Sequence, residues 1–464
     1  MNIEFDKGSY RDPAGKIFYY KGRVLRGLNS KGVERFKHIK ENNILDESIK
    51  QNFLIPTKEV TDLPKINELS EFDLILEHKK IDYITYPYEW CFDQLKDAAI
   101  HHLNFQLFLL EKNCVLIDAS AYNIQFLNSK PIFIDTLSLS EYKAGSYWTG
   151  HKQFCENFLN PLILSSKKGI DFNNWFKGNL EGITTSDLNN ILSLKDKLNF
   201  SLFFHVFLMD RYEKKALLKP KEISQQVEGK KALSKKSYKG MLLQLKKFIL
   251  GLSKDKTLSK WSNYSENNSY NSEEEVKKIR IVEDFIKKNK FNYLADLGCN
   301  DGLYSFKSLK CGAKKVFGFD SDLNVLNKAY LNSKKNNLNF QPVYMDFTNP
   351  SSNLGWDEKE RLGLNFRMRF NGMIALALYH HIVIGNNIPM EEAVAWLIRF
   401  APKGIIEFVP KEDDMIKEMT KLKGDIFENY NEERFKFILE KKAKIVGTNK
   451  VSSSGRVLYE YSSI

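Results

Sequence analysis

Cysteine is scarce in this chain. Its five thiols, Cys91, Cys114, Cys155, Cys299 and Cys311, are odd in number, and no two have the spacing of a zinc-ligand pair. Neither a disulfide framework nor a structural zinc organises the fold, and a reducing cytoplasm is the expected compartment. No run of about 18 apolar residues occurs, so no membrane span is expected. The opening residues, Met1-Asn-Ile-Glu-Phe-Asp, have neither the basic nor the apolar region of a secretory leader. No internal repeat divides the 464 residues. Charge balance is missing too: 70 Lys and Arg stand against 58 Asp and Glu, a net +12. That excess admits an anionic partner. The lysines are scattered rather than gathered into one arm, which suits a generally basic surface equally well.

The stretch that organises the chain is Phe291 to Gly302, Phe-Asn-Tyr-Leu-Ala-Asp-Leu-Gly-Cys-Asn-Asp-Gly. An apolar strand, Tyr293–Leu297, runs into a turn bearing Gly298, Asn300 and Gly302. A helical pattern of Leu303, Phe306 and Leu309 follows. Strand, tight turn and helix start, in that order, aim backbone N–H groups at a nucleotide-type ligand. Glycines let that ligand approach the backbone, and Asn tolerates left-handed geometry.

Asp296-Leu-Gly298-Cys-Asn300-Asp-Gly302 resembles the first motif of class I S-adenosylmethionine (SAM) dependent methyltransferases, in the variant with Asn at the middle glycine position. The downstream pattern extends the resemblance to the end of the chain. Strands are predicted at 293–297, 316–320, 340–346, 373–378 and 404–409, with helices between most of them, and a final pair at 443–447 and 456–461 has no helix between its members. Apolar strands alternating with helices predict a parallel sheet covered on both faces, a Rossmann-like α/β domain. The resemblance implies seven strands with the last antiparallel. It also implies roles for three strand-end acids: Asp296 toward the methionine amino group, Asp320 toward both ribose hydroxyls, Asp346 toward the adenine amine. Each acid alone is also an ordinary helix cap. Trp261 and Tyr264, ahead of a helix from Glu273 to Lys288, are candidates to cover the cofactor.

SAM brings an activated methyl group, so the protein must align an acceptor and manage one proton. Ala375-Leu-Ala-Leu-Tyr379-His380-His381 closes the fourth predicted strand, where the family places acceptor-side residues. His380 or His381 is the candidate base, with a pKa expected near the working pH. Glu407 at the next strand end is the candidate to polarise a histidine or bind acceptor. Arg361, Arg367 and Arg369 are candidates for an anionic group.

The first part of the chain reads differently. Ile17–Tyr20, Lys21-Gly22 and Arg23–Arg26 predict a hairpin. A helix starts near Ser30 as N-cap, and strands are predicted at 72–77 and 81–86. Phe92, Leu95, Ala99, Leu103, Leu107 and Leu110 mark one face of a long helix. Then come Asp118-Ala-Ser-Ala-Tyr-Asn123 and Pro131-Ile-Phe-Ile-Asp135. Asp118, Asn123 and Asp135 resemble, in order and spacing, the catalytic lobe of kinase-like phosphotransferases. That resemblance implies Asp118 on an acceptor hydroxyl and Asn123 with Asp135 on magnesium, beside ATP. No glycine-rich phosphate loop and no Val-Ala-Ile-Lys stretch is present, and Arg26 is the nearest substitute for the strand lysine. This points to a degenerate kinase-like α+β module used for recognition.

The expected layout is a kinase-like or recognition domain over 1–213, a basic helical linker over 214–275, and a methyltransferase domain over 276–464. Within the linker, the basic amphipathic stretch near 241–250 suits a helix packed on a neighbour, or one resting on a membrane surface. Tyr-Pro-Tyr-Glu-Trp90, Asp-Ala-Ser-Ala-Tyr-Asn-Ile-Gln-Phe126 and Leu-Ala-Leu-Tyr-His-His381 in one chain resemble a bacterial group of nodulation-protein-like methyltransferases. The expected activity is methyl transfer from SAM to an oxygen or nitrogen of a saccharide or small polar metabolite. RNA is the second acceptor class, although the basic residues lack interleaved stacking aromatics. A bifunctional kinase–methyltransferase and a non-catalytic SAM-binding scaffold are the alternatives. Oligomeric state is not legible.

Overall fold

The computed structural model describes residues 3–63, 67–218, 233–254, 272–421 and 426–464. The chain divides into two compact units. Unit 1 is Met1–Asp255 with Asn353–Leu362, and unit 2 is Lys256–Ser352 with Gly363–Ile464. Trp261 and Tyr264 lie outside the described residues.

Unit 1 opens on five antiparallel strands, β1 (Glu4–Phe5), β2 (Gly15–Tyr20), β3 (Arg23–Leu28), β4 (Thr57–Glu59) and β5 (Leu74–His78), in the order β1-β2-β3-β5-β4. The β2–β3 hairpin turns at Lys21 and Gly22, both at positive φ, so glycine carries the second turn position without a Cβ penalty. The following helix, Ser30–Glu41, is capped by Asn29, whose side chain accepts from Gly32 N, and not by Ser30. No strand forms over 81–86. There the Thr85 backbone is bound on both sides by the Gln125 amide, and Tyr86 N donates to Glu89. These side-chain bonds satisfy the backbone that a ladder would otherwise claim.

Helix Phe92–Glu111 buries Leu95, Ala99, Leu103 and Leu110 as its apolar stripe requires. Small hairpins follow: β6 (Cys114–Leu116) pairs with β9 (Leu139–Glu141), and β7 (Ile124–Leu127) pairs with β8 (Lys130–Phe133). The basic helix placed in the linker belongs to unit 1. Over Lys235–Leu250 it buries Tyr238, Leu242, Leu245 and Ile249. It is pinned to helix Phe92–Glu111 by Gln106 Nε2 to Tyr238 Oη at 2.7 Å and by Lys239 to Glu111 at 2.8 Å. Its apolar stripe is consumed by that packing and its lysines face outward. The expected boundary at 213 therefore moves beyond the helix.

Unit 2 holds a seven-stranded sheet of β10 (Tyr293–Leu297), β11 (Lys315–Asp320), β12 (Phe340–Tyr344), β13 (Gly372–Ala375), β14 (Lys403–Phe408), β15 (Ala443–Lys450) and β16 (Val457–Ser463). The order is β12-β11-β10-β13-β14-β16-β15. All neighbouring pairs are parallel up to β14, and β16 runs antiparallel to both its neighbours. The strands are buried runs such as Leu294, Ala295, Val316, Phe319, Ile374 and Ile405, because helices cover both faces. Strand order reverses between β10 and β13, which opens a crevice at their carboxyl ends. Among the described residues no helix is long and apolar enough to cross a membrane. All five cysteines are free thiols.

Candidate functional site

The glycine turn forms as the sequence suggests, and its purpose is visible in its bonds. Gly298, Asn300 and Gly302 all have positive φ. Gly298 N and Cys299 N both donate to Phe319 O, at 2.9 and 3.0 Å, sewing the turn to the end of β11. A Cβ on Gly302 would lie 2.6 Å from the Phe306 ring, so no side chain is accepted there. Asn300 N then donates to Asp320 Oδ2 at 2.8 Å, and Asp322 N donates to Asp320 Oδ1 at 2.8 Å. Despite these two bonds, desolvation raises the Asp320 pKa to about 6. Asp296 is buried, accepts from Ser305 Oγ at 2.6 Å, and is raised to about 7 by desolvation. The charge on Asp320 adds to the shift. Two desolvated carboxyls beside the glycine turn await partners that favour their ionised form: hydroxyls and an ammonium. This donor set fits the ribose and amino-acid ends of SAM. Asp346 is different: its Oδ1 already accepts from Thr348 N, Thr348 Oγ1 and Asn349 N, closing its own turn.

The fourth strand of this sheet stops earlier than expected. β13 ends at Ala375 because Ala377 takes φ +50°. Ala377 N donates to Glu407 Oε2 at 2.8 Å. His380 is fully buried, and its imidazole has no hydrogen-bond partner among the described residues. The His381 ring lies 4.1 Å from it, centroid to centroid, and is only partly buried. Neither histidine titrates near neutrality. Burial lowers the His380 pKa well below the usual value, and it lowers His381 to about 4, with the Arg456 charge adding to both. Both are neutral at pH 7, contrary to the expectation of a pKa near the working pH.

Glu407 is not available to polarise a histidine or bind acceptor. Besides Ala377 it holds Lys278 Nζ at 2.7 Å and faces Arg456 Nη1 at 3.5 Å. Arg456 in turn grips Asp413 with Nε and Nη2, at 2.7 and 2.9 Å. All four groups are buried. Sequence reading missed Lys278, Asp413 and Arg456. A signal existed for the first: Lys278 is in helical register with Val282, Phe285 and Ile286, all buried, so a lysine occupies a core stripe.

In unit 1 the other constellation assembles around Arg26. Its guanidinium bridges Asp12 and Asp135, the latter Nη1 to Oδ1 at 2.5 Å. Asp135 also accepts from Ser138 Oγ and from Leu137 N. Burial would raise its pKa, but Arg26 and these bonds hold it below the usual range. Asp118 Oδ1 accepts from Ser120 N at 2.9 Å, and desolvation raises its pKa. Asn123 Nδ2 is buried, and its side chain favours the ionised form of Asp118. The Arg361 guanidinium lies over the Tyr122 ring at 4.3 Å. Arg361 thus stacks on an aromatic side chain, and Arg367 is buried. Among the described residues no group of three or more His, Cys, Asp or Glu could hold a metal.

Residues 277–356 match the family model of ribosomal protein L11 methyltransferase (PrmA). Over 457 residues the chain is 38% identical to nodulation protein NoeA of Rhizobium meliloti (strain 1021), covering 98% of this chain and 95% of that one. The chain belongs to the NoeA family. Among solved structures, WbdD is 16% identical at a TM-score of 0.30, over 44% of this chain and 43% of its own length. The N-methyltransferase NodS of Bradyrhizobium japonicum WM9 is 11% identical at 0.32, over 42% and 98%. The magnesium protoporphyrin IX methyltransferase ChlM of Synechocystis PCC 6803 is 18% identical at 0.31, over 44% and 93%. This NoeA-family protein is a SAM-dependent methyltransferase with a Rossmann-like sheet.

Proposed function

We propose that unit 2 transfers the methyl group of SAM to an oxygen or nitrogen of a saccharide or small polar metabolite. The observation that carries this reading is the pair of buried Asp296 and half-buried Asp320, flanking the glycine turn at the strand-order reversal. Asp320 takes the ribose hydroxyls, Asp296 the methionine ammonium, and Gly298, Asn300 and Gly302 the backbone contacts between them. SAM supplies a methyl group already activated on sulfonium. The protein then has to hold the acceptor in line, exclude water and accept a proton. His381 is the better placed base, since it is neutral and partly exposed, whereas His380 is sealed beneath it. Asp346, engaged in its own turn, keeps one carboxylate oxygen for the adenine amine.

Unit 1 is a kinase-like module over its first 213 residues that recognises rather than phosphorylates. Arg26 on Asp135 supports this, because a guanidinium seated on the carboxylate competes with magnesium for the same oxygens. Titration of the full chain with SAM, then with ATP and magnesium, tests both halves. SAM binding without ATP binding is expected, and the reverse overturns the reading. Methyl transfer into saccharide fractions but not into RNA would fix the acceptor class.

A further inference from the structure

The order of the strands gives the cofactor a direction. Asp320 closes β11, the glycine turn follows β10, and Ala377 lies just past β13 on the other side of β10. Neighbouring strands are about 4.8 Å apart. A nucleoside seated on Asp320 therefore has its amino-acid end running past β10 toward β13. That end is a zwitterion. Asp296 answers its ammonium, but the carboxylate needs a cation, and Asp296 repels it.

Two buried cations stand near this end among the charges described above. Arg456 gives Nε and Nη2 to Asp413 and turns Nη1 toward Glu407. Lys278 enters from helix Ser272–Asn289 and reaches Glu407, whose other contact is the Ala377 turn itself. Its Nζ is 5.4 Å from the ring centroid of Tyr304, in the first turn of the helix that the glycine turn opens. Asp296 feels its charge. For the helix alone a lysine there is a poor choice. Position 278 shares the buried stripe of Val282, Phe285 and Ile286, and a buried ion pair commonly stabilises no better than a hydrophobic replacement. An ammonium has three protons to donate, so Glu407 and a ligand carboxylate can share it.

We infer that Lys278, held in place by Glu407, is the residue that binds the carboxylate of the cofactor's amino-acid end and so selects for cofactors that carry it. The inference rests on reading the crevice as a SAM site. Calorimetry on the full chain separates the two claims by comparing S-adenosylhomocysteine with 5′-methylthioadenosine, which keeps the nucleoside and thioether but lacks the amino-acid end. In Lys278→Met, S-adenosylhomocysteine is expected to bind about 10–100-fold more weakly, the loss of one charge-assisted contact, while 5′-methylthioadenosine changes less than about twofold. Lys278→Arg, which keeps the charge, is expected to restore most of the difference. Wild-type protein is expected to bind decarboxylated SAM more weakly than SAM by a similar factor, a measurement that needs no variant to fold. Equal binding of S-adenosylhomocysteine to Lys278→Met and wild type overturns the assignment. So does a parallel loss of both ligands, which marks a packing role, and so does equal wild-type affinity for SAM and its decarboxylated form. If wild-type protein binds neither adenosyl ligand, the SAM reading falls first and the assignment with it.

Discussion

Unit 1 and unit 2 each gather aspartates at the ends of strands and hairpins, yet the two sets are in opposite electrostatic states. Asp135 has a protein cation on it, two further donors, and a pKa held below the usual range. Asp320 and Asp296 have neutral donors only and pKa values raised to about 6 and 7. A carboxylate matched inside the protein is a structural element. One desolvated without a matching charge is costly unless a ligand completes it. The same contrast recurs within unit 2, where Glu407 is paired with the Lys278 ammonium and Asp320 accepts from backbone N–H groups.

The comparison can be broken by substitution. The largest effect is expected from His381→Ala, which should lower kcat by about 10²–10⁴-fold while leaving SAM affinity within about twofold. Calorimetry and turnover on the same preparation separate the two. Asp320→Ala should weaken SAM by about 100-fold, from the loss of two hydroxyl contacts to a charged acceptor. Asp135→Ala is the mirror case: SAM affinity should hold, but stability should fall by about 3 kcal/mol, because Arg26 loses one of its two buried partners. Denaturant unfolding of unit 1 reads that loss. If Asp135→Ala weakened SAM and Asp320→Ala only destabilised, the contrast would be reversed.

A smaller, pH-linked effect sharpens it. Protonated carboxyls are poor acceptors for an ammonium or a hydroxyl. SAM affinity should therefore fall as pH drops from 7.5 to 5.5, through the values of about 7 and 6 for Asp296 and Asp320. Asp320→Asn should flatten the lower part of that slope in calorimetric titrations. The ligand-free stability term has the opposite sense. Both folded-state values lie above the unfolded value near 4, so the native state binds more protons and these two acids cost stability as pH rises from about 4 to about 7.

Much of unit 2 was readable because its signals are local. Strand and helix periods, the turn glycines and the strand-end acids follow from neighbouring residues, and they survive with boundaries shifted by a few positions, as in β13. The fourth strand was read too long because what ends it is remote: Glu407 Oε2 binds Ala377 N across 30 residues. The segment 81–86 misled for the same reason, since Gln125, 40 residues on, satisfies its backbone. The Glu407 role was misassigned because its partners, Lys278 and Arg456, are separated from it by long stretches of chain.

By itself the sequence determined the elements, the Rossmann-like sheet and the glycine turn, because backbone geometry and hydrophobic period act over a few residues. Only the tertiary structure decided which carboxylates are matched by internal cations and which remain for a ligand. Pairing depends on which side chains folding brings within about 3 Å, where the protein interior leaves water no part in the answer.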